Sequence, residues 1–293
     1  MKYNFIKTEL YSYPLSLSCK VLSVSRAGYY HWQKRKVTQR SIEEEKVLEM
    51  IRKHHKQSHQ RYGVLRIYRA IRKEGIIVNK KRIYRLMKLN NIQSQTAKKY
   101  KLTTKQDKGA FFSPNLVNRN FHTTRENEVW TSDITYISTG EGWLYLAVVQ
   151  DMFNREEIGW SIMERPKAEI VTNAINMAII KRRPGQGVIF HSDRGSQYTS
   201  NKVRNLLNRY KFSQSMSGKG NCYDNAITET FFSTLKKELV YLTKFETKEQ
   251  ARREIFEYIE IFYNRQRLHS SLGYLSPVEY RIKMKEEFNS RVA

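Results

Sequence analysis

The sequence predicts an α/β fold, a five-stranded mixed sheet with helices, preceded by an all-α region built from helix-turn-helix units. Three observations carry this. Helical periodicity with capping residues fills the first ninety positions, three strand-like runs follow one another from residue 129, and a net charge of +25 is concentrated in the helical part. At roughly 150 residues per domain, 293 residues make about two domains with room for a small third. A 40% hydrophobic and 12% aromatic content supplies a real core, so the charge belongs to a folded chain.

Residues 1–120 hold 28 Lys+Arg and 7 Asp+Glu, net +21, whereas 121–293 hold 25 and 21, net +4. Such an excess excludes an ordinary small-metabolite enzyme and points to a polyanion. The longest apolar run, Trp143 to Val149, is far short of the roughly 18 residues of a membrane span, so nucleic acid is the expected partner. Cys19 and Cys222 are distant and form no CxxC, which argues for a reducing compartment and against a disulfide scaffold or zinc ribbon. Met1 to Tyr11 lacks the apolar core of a signal peptide, and a cytoplasmic protein is expected.

Residues 1–40 read as a first helix-turn-helix-like segment. Leu15, Leu17, Val21 and Leu22 form an apolar stripe, and Ser25 can cap a helix from Arg26 to Lys36 that is interrupted by Gly28. Residues 41–92 read as a second, clearer unit. Ser41 and Glu44 form a capping-box pair opening a helix through Val47, Leu48 and Ile51 to about Ser58. Tyr62 to Glu74 carries Leu65, Tyr68, Ala70 and Ile71 and stops at Gly75, and Asn79 then opens a helix to about Leu89. Ile83, Leu86 and Met87 make one buried face there, leaving a basic face for a major groove. Lys80, Lys81, Arg82, Tyr84, Arg85 and Lys88 are its candidate DNA contacts. A solvated charged helix is the bland alternative. It is weakened because Ile51 to Lys108 holds 18 basic residues and only Glu74 and Asp107 as acids. His54, His55 and His59 lack further donors at ligand spacing and read as surface histidines rather than a zinc site. Residues 93–120 read as a basic linker.

In 121–240, Val129 to Ser138, Trp143 to Met152 and Glu157 to Met163 read as consecutive antiparallel strands, the first two joined by Gly140-Glu141-Gly142. A helix from Ala168 to Lys181, a fourth strand Val188 to His191 and a helix from about Ser200 to Tyr210 follow. This order is that of an RNase H-like domain, in which the first and fourth strands are neighbours. The chain has five Asp against 23 Glu, so aspartate placement is informative. Asp133 lies within the first strand and Asp193 just after the fourth, where both would project at one sheet edge. A lone Asp inside an apolar strand is costly unless paired or bound to a cation. The third candidate is Glu229, on a helix to Tyr241 with Thr228, Phe231, Phe232, Leu235 and Leu239 as its core stripe. Glu229 lies off that stripe, and Asn225 and Lys236 share its face. Three hard oxygen donors suit Mg²⁺ or Mn²⁺, and two such ions would activate an attacking hydroxyl and stabilise a leaving oxygen in phosphodiester chemistry. Asp133, Asp193 and Glu229 are therefore both the catalytic and the metal candidates. Asp151 reads as a turn or ion-pair residue, Asp224 as a helix cap, and His191 as a hydrogen-bonded strand histidine. Residues 241–293 form a C-terminal helical extension, with a helix from about Lys248 to Tyr263 and an Arg-rich loop that suits DNA or the core equally.

The segments WTSDITYI, VIFHSDRGSQYTS, SMSGKGNCYDNAITETFFSTLKKELVY and FEYIEIFYNRQRLHSSLGYLSPVEY resemble the OrfB transposases of the IS-three family of bacterial insertion sequences. SVSRAGYYHW and RYGVLRIYRAIRKEGIIVNKKRIYRLM match that family's helix-turn-helix region, so the resemblance covers nearly the whole chain. It implies a retroviral-integrase-like core with Asp133, Asp193 and Glu229 as a DDE triad and Lys236 on terminal DNA. It further implies cleavage at the element's ends, strand transfer by the freed 3′-hydroxyl, a homo-oligomer on DNA, location at the bacterial nucleoid, and an OrfA partner or fusion. Ser132 and Thr230 depart slightly from the family pattern. A DNA-binding regulatory protein idle without OrfA, and a general nuclease, are the competing expectations.

Overall fold

A computed structural model of the chain describes residues 2–34, 38–97, 113–117, 123–218 and 226–292. Most of the basic linker, and with it Cys222, Asp224 and Asn225, lies outside the described residues. No helix among the described residues is long and apolar enough to cross a membrane.

The first three helices, α1 (Lys2–Thr8), α2 (Leu15–Val21) and α3 (Arg26–Gln33), close around Ile6, Cys19 and Tyr29, with Tyr3, Leu22 and Trp32 packed against them. The Ser25 hydroxyl caps α3 by accepting the Gly28 N–H. Gly28 does not interrupt the helix. The Tyr3 hydroxyl lies 2.2 Å from where a Cβ at Gly28 would stand, so the glycine permits a close approach.

The next unit comprises α4 (Gln39–Gln57), α5 (Val64–Lys73) and α6 (Lys80–Leu89). The expected capping box at Ser41 is corrected. Thr38 is the cap and accepts the Ser41 N–H, while Glu44 is drawn away by Arg40 and Arg85. The buried stripe of α5 is Ile67, Ala70 and Ile71, and Leu65 is exposed. Gly75 ends the α5 turn with φ +83°, and Asn79 caps α6 through the Lys81 N–H. Ile83, Leu86 and Met87 are buried as their spacing predicts.

Five strands form one mixed sheet in the order β3-β2-β1-β4-β5. They are β1 (Val129–Thr139), β2 (Gly142–Asp151), β3 (Glu157–Met163), β4 (Ile189–Ser192) and β5 (Ser213–Met216). The first three are antiparallel, and β4 runs parallel beside β1. On one face α7 (Ala168–Arg182) and α8 (Asn201–Arg209) bury Trp130, Ala147, Val149 and Phe190. Gly159 allows α7 to lie directly on β3, because a Cβ there would stand 2.1 Å from the Ala174 carbonyl oxygen.

The opposite face carries Ile137, Leu144, Leu146 and Val148, covered by Phe231, Phe232 and Leu235 of α9 (Ala226–Leu235). This helix continues as a π turn over Lys236–Val240. The same apolar cluster runs on through α10 (Lys248–Phe256) and its π continuation Glu257–Tyr263 into the α4–α6 unit, so the helical unit and the sheet share a core. A last helix, α11 (Pro277–Val292), is tied back through Arg281 to Glu156, which also pairs with Arg182 of α7.

The seam of this shared core is polar. Glu238, buried, accepts two hydrogen bonds from Arg267 Nε and one at 2.8 Å from its Nη2, and a further one from the Tyr258 hydroxyl. Arg61 Nε donates to the Glu238 carbonyl, Arg66 Nε donates to the Leu268 carbonyl, and Tyr62 bonds both Gln266 and Leu268. The Arg-rich loop thus turns its Arg267 inward, while Arg265 stays exposed. Burial raises the Glu238 carboxyl, but Arg267, Arg66 and Tyr258 together hold it below the usual carboxylate range.

Replacing Glu238 with Gln leaves the buried Arg267 charge without its counter-ion and is expected to cost about 3–5 kcal/mol. The wild-type contribution is complete above the ordinary carboxylate pKa and is lost as pH falls through the depressed folded value. Thermal unfolding should therefore show a large difference at pH 7 that shrinks in acid.

Candidate active site

Asp133 lies in the middle of β1, opposite Val148 of β2, on the face that α9 covers. The parallel pairing of Thr131 with His191 carries the chain on to Asp193 at the level of Asp133. The expected neighbouring of the first and fourth strands follows from that pairing. Asp133 is half-buried and Asp193 is exposed at the rim, where its Oδ1 accepts the Gly195 N–H.

Glu229 reaches the same region on α9, exposed, one residue after the buried Thr228. The Thr228 hydroxyl donates to Thr131 Oγ1 at 2.8 Å, which fastens the first turn of α9 to β1 two residues from Asp133. Lys236, seven residues on, is half-buried with its Nζ 5.0 Å from the Tyr136 ring centroid, and its charge acts on Asp133.

The electrostatics show four groups acting on one another. Burial, the Asp193 and Glu229 charges on one side, and the Ile134 N–H and Lys236 on the other, leave the Asp133 pKa raised to about 8. Loss of solvation also pushes Asp193 up, against the Gly195 N–H, and pushes Glu229 up together with the Asp193 charge. Lys236 is lowered by burial, with Asp133 opposing. An acidic site that raises its own pKa values is under-neutralised, and a cation would relieve it. Among the described residues, however, no three His, Cys, Asp or Glu side chains stand close enough to hold a metal ion.

Two residues that sequence reasoning passed over brace the aspartates. The buried Tyr198 hydroxyl lies 2.9 Å from Ser132 Oγ, which itself donates to the Val148 carbonyl. The chain segment after Asp193 is thereby locked to the residue before Asp133. Tyr198 stands within the segment SDRGSQY, and the signal available was an aromatic among polar loop residues. His191 is buried between Ser215 and Ser217, and Asp151 accepts the Asn127 and Phe153 N–H groups in a turn, as expected of each.

Of the candidate DNA contacts, Lys80, Lys81, Tyr84, Arg85 and Lys88 are exposed on α6 and Arg82 is half-buried. Arg85 pairs with Glu44 of α4 at 2.5 Å, an acidic partner that no spacing within α6 foretells. His54 sits beside Glu74 at 3.3 Å, away from any metal-ligand cluster. Asn225 lies outside the described residues.

Comparison with known proteins finds a family described as "Integrase core domain" matching residues 123–222 and a second so described matching 229–284. An "HTH-like domain" matches 42–100. The chain is 41% identical over 257 residues to the transposase for insertion sequence element IS904 of Lactococcus lactis, covering 87% of this chain and 99% of that one. It is 36% identical over 285 residues to transposase InsF for insertion sequence IS3A of Escherichia coli, covering 97% and 99%. Among solved structures it is similar to a simian T-cell lymphotropic virus intasome in complex with a PP2A regulatory subunit. That match has a TM-score of 0.46 and 12% identity, covering 78% of this chain and 73% of that chain.

The raised Asp133 pKa has a measurable sign. Between the unfolded value near 3.8 and the folded value of about 8, the folded protein holds the extra proton, so the carboxylate destabilises the fold progressively as pH rises through that window. In the presence of a chelator, Asp133→Asn should melt above wild type at pH 9 and together with it at pH 4.

Proposed function

Since the chain belongs to the transposases of IS3-type insertion sequences, enzymes with an integrase core, we propose that Asp133, Asp193 and Glu229 are its catalytic triad. We propose further that α6 holds the terminal repeats of its element. The observation that carries the reading is the mutual electrostatic action of three acids from three elements beside one lysine. A transposase of this class is a polynucleotidyl transferase of the DDE type. In the first step a water oxygen bonds to phosphorus at the element end, the P–O3′ bond breaks, and the 3′-oxygen leaves with a proton. In the second, that 3′-hydroxyl attacks a target phosphodiester and displaces the target's own 3′-oxygen.

The donor set fits Mg²⁺ or Mn²⁺, two ions to a site, in hardness and charge: three carboxylates with raised pKa values. When bound, such ions neutralise the phosphate oxygens and favour ionised nucleophile and leaving groups. Asp133, embedded in the central strand, would supply the fixed ligand, and Asp193 and Glu229, at the rim, would have to close toward it. Lys236 places a cation where the terminal phosphate meets Asp133, and Asn225 is assigned to the same strand of DNA. On α6, Lys80, Lys81, Arg82, Tyr84, Arg85 and Lys88 divide between phosphate and base contacts, with Arg85 exchanging Glu44 for DNA. Holding two ends at once calls for at least two copies of the chain on DNA, within the cell interior where the element lies. In this reading residues 1–92 gather DNA, 93–120 link, 121–240 catalyse and 241–293 brace the core.

A second reading, binding without catalysis until an OrfA product joins, is favoured by the distance between the three carboxylates. Nicking and joining of end DNA in Mg²⁺, with and without OrfA, separates the two. Asp193→Asn is expected to abolish both steps while leaving affinity for end DNA within about twofold, since no DNA contact is removed. Strand transfer by that variant would sink the triad. Lys81→Ala with Arg85→Ala should weaken binding and reduce the slope of log K against log salt by roughly two. An unchanged slope removes α6 from the interface.

A further inference from the structure

The two helical units repeat one pattern. With the α3 cap Ser25 set on the α6 cap Asn79, both cap side chains accept an N–H of the helix they open. One residue before the cap, Val24 and Val78 turn into the core of their own unit. One residue after it stand Arg26 and Lys80, and four after it the buried Tyr29 and Ile83. Five after it, Tyr30 and Tyr84 are both exposed, at 49% and 56%. Six after it come His31 and Arg85, nine after it Lys34 and Lys88, all four exposed. Each helix is the third of its unit and follows a short turn from the second.

We propose that α3 is a second DNA-reading helix, which takes a stretch of duplex through Arg26, Tyr30, His31 and Lys34, so that the chain recognises a bipartite site. This rests on the reading of α6 as a DNA helix. The α3 side of the match has its own support. Residues 2–34 hold Lys2, Lys7, Lys20, Arg26 and Lys34 against the single acid Glu9. Among the described residues none of the four outward side chains of α3 forms an ion pair, whereas Arg85 on α6 is held by Glu44. At 1.5 Å per residue, Arg26 to Lys34 spans roughly 12 Å, about the width of a major groove, with Tyr30 and His31 midway to meet base edges. The unit has its own apolar cluster, around Ile6, Cys19 and Tyr29, apart from the one that α6 shares with the sheet. It therefore forms a second module beside α4–α6 rather than an extension of it.

Hydroxyl-radical footprinting of the full-length chain on duplex DNA of its element end tests this. Wild type should protect two separate segments. Arg26→Ala with Lys34→Ala should lose one of them, bind about tenfold more weakly and lower the salt slope by roughly two, while Lys81→Ala with Arg85→Ala loses the other. All four side chains are exposed, so matching melting temperatures confirm that the variants fold, and Arg26→Glu with Lys34→Glu should deepen the effect. The inference is overturned if both segments and the full slope survive in the α3 variants, including the case in which those variants instead lose association with another protein chain. Because the α6 variant is scored on a different segment, that outcome leaves the α6 reading intact. Loss of neither segment by the α6 variant is the separate failure of that reading.

Discussion

Three acids from three elements act on one another across one face of the sheet, and the elements that carry them are fastened to β1 by register and by two hydroxyl–hydroxyl bonds. The register of β4 on β1 sets Asp193 level with Asp133. Tyr198 and Ser132 lock the segment after Asp193 to the strand that bears Asp133, and Thr228 and Thr131 fasten α9 to the same strand. The Asp133 pKa is raised first by burial and then by the Asp193 and Glu229 charges. Each fastening lies one or two residues from an acid or, for Tyr198, five.

Basic residues serve two purposes that composition does not separate. Arg61, Arg66, Arg182 and Arg267 are spent inside the protein, on Glu238, on Glu156 and on backbone carbonyls. On α6, Lys80, Lys81, Arg85 and Lys88 face outward, while Arg82 is half-buried. Among the described residues of the first half most Lys and Arg side chains are exposed, with Arg61 buried and Arg66 and Arg82 half-buried.

The parts legible in the sequence are those fixed by local rules. Strands β1 to β3 are marked by aromatic and β-branched residues and, between the first two, by Gly140-Glu141-Gly142, and α6 is announced by Asn79 and by Ile83, Leu86 and Met87. The two aspartates stand out because an acid within or just after an apolar strand is rare. Other features depended on partners far along the chain. Strand β5, Ser213–Met216, is short and polar, and it pairs only because β4 lies beside it. Arg267 is as well suited to phosphate as to carboxylate, and only the fold brings Glu238 to it. The same holds for Glu44, which spacing marks as a capping residue and tertiary structure gives to Arg85. The π turn at Lys236–Val240 leaves the apolar spacing of its helix almost unchanged, so periodicity could not disclose it.

The polar seam around Glu238 has a consequence for the geometry of cutting. Arg61, Tyr62 and Arg66, at the start of α5, are bonded to the helix that bears Glu229 and to the loop that follows α10. The helical unit is thereby fixed to the sheet domain by hydrogen bonds as well as by the apolar core they share. On the reading proposed above, it would act as the fixed arm of a calliper whose other jaw is the acidic site. On that reading the interval between the bases read and the bond broken would be set in base pairs and in helical phase by protein architecture. Inserting half a turn of DNA into that interval would carry the scissile phosphate to the wrong side of the duplex, however well the end itself is bound.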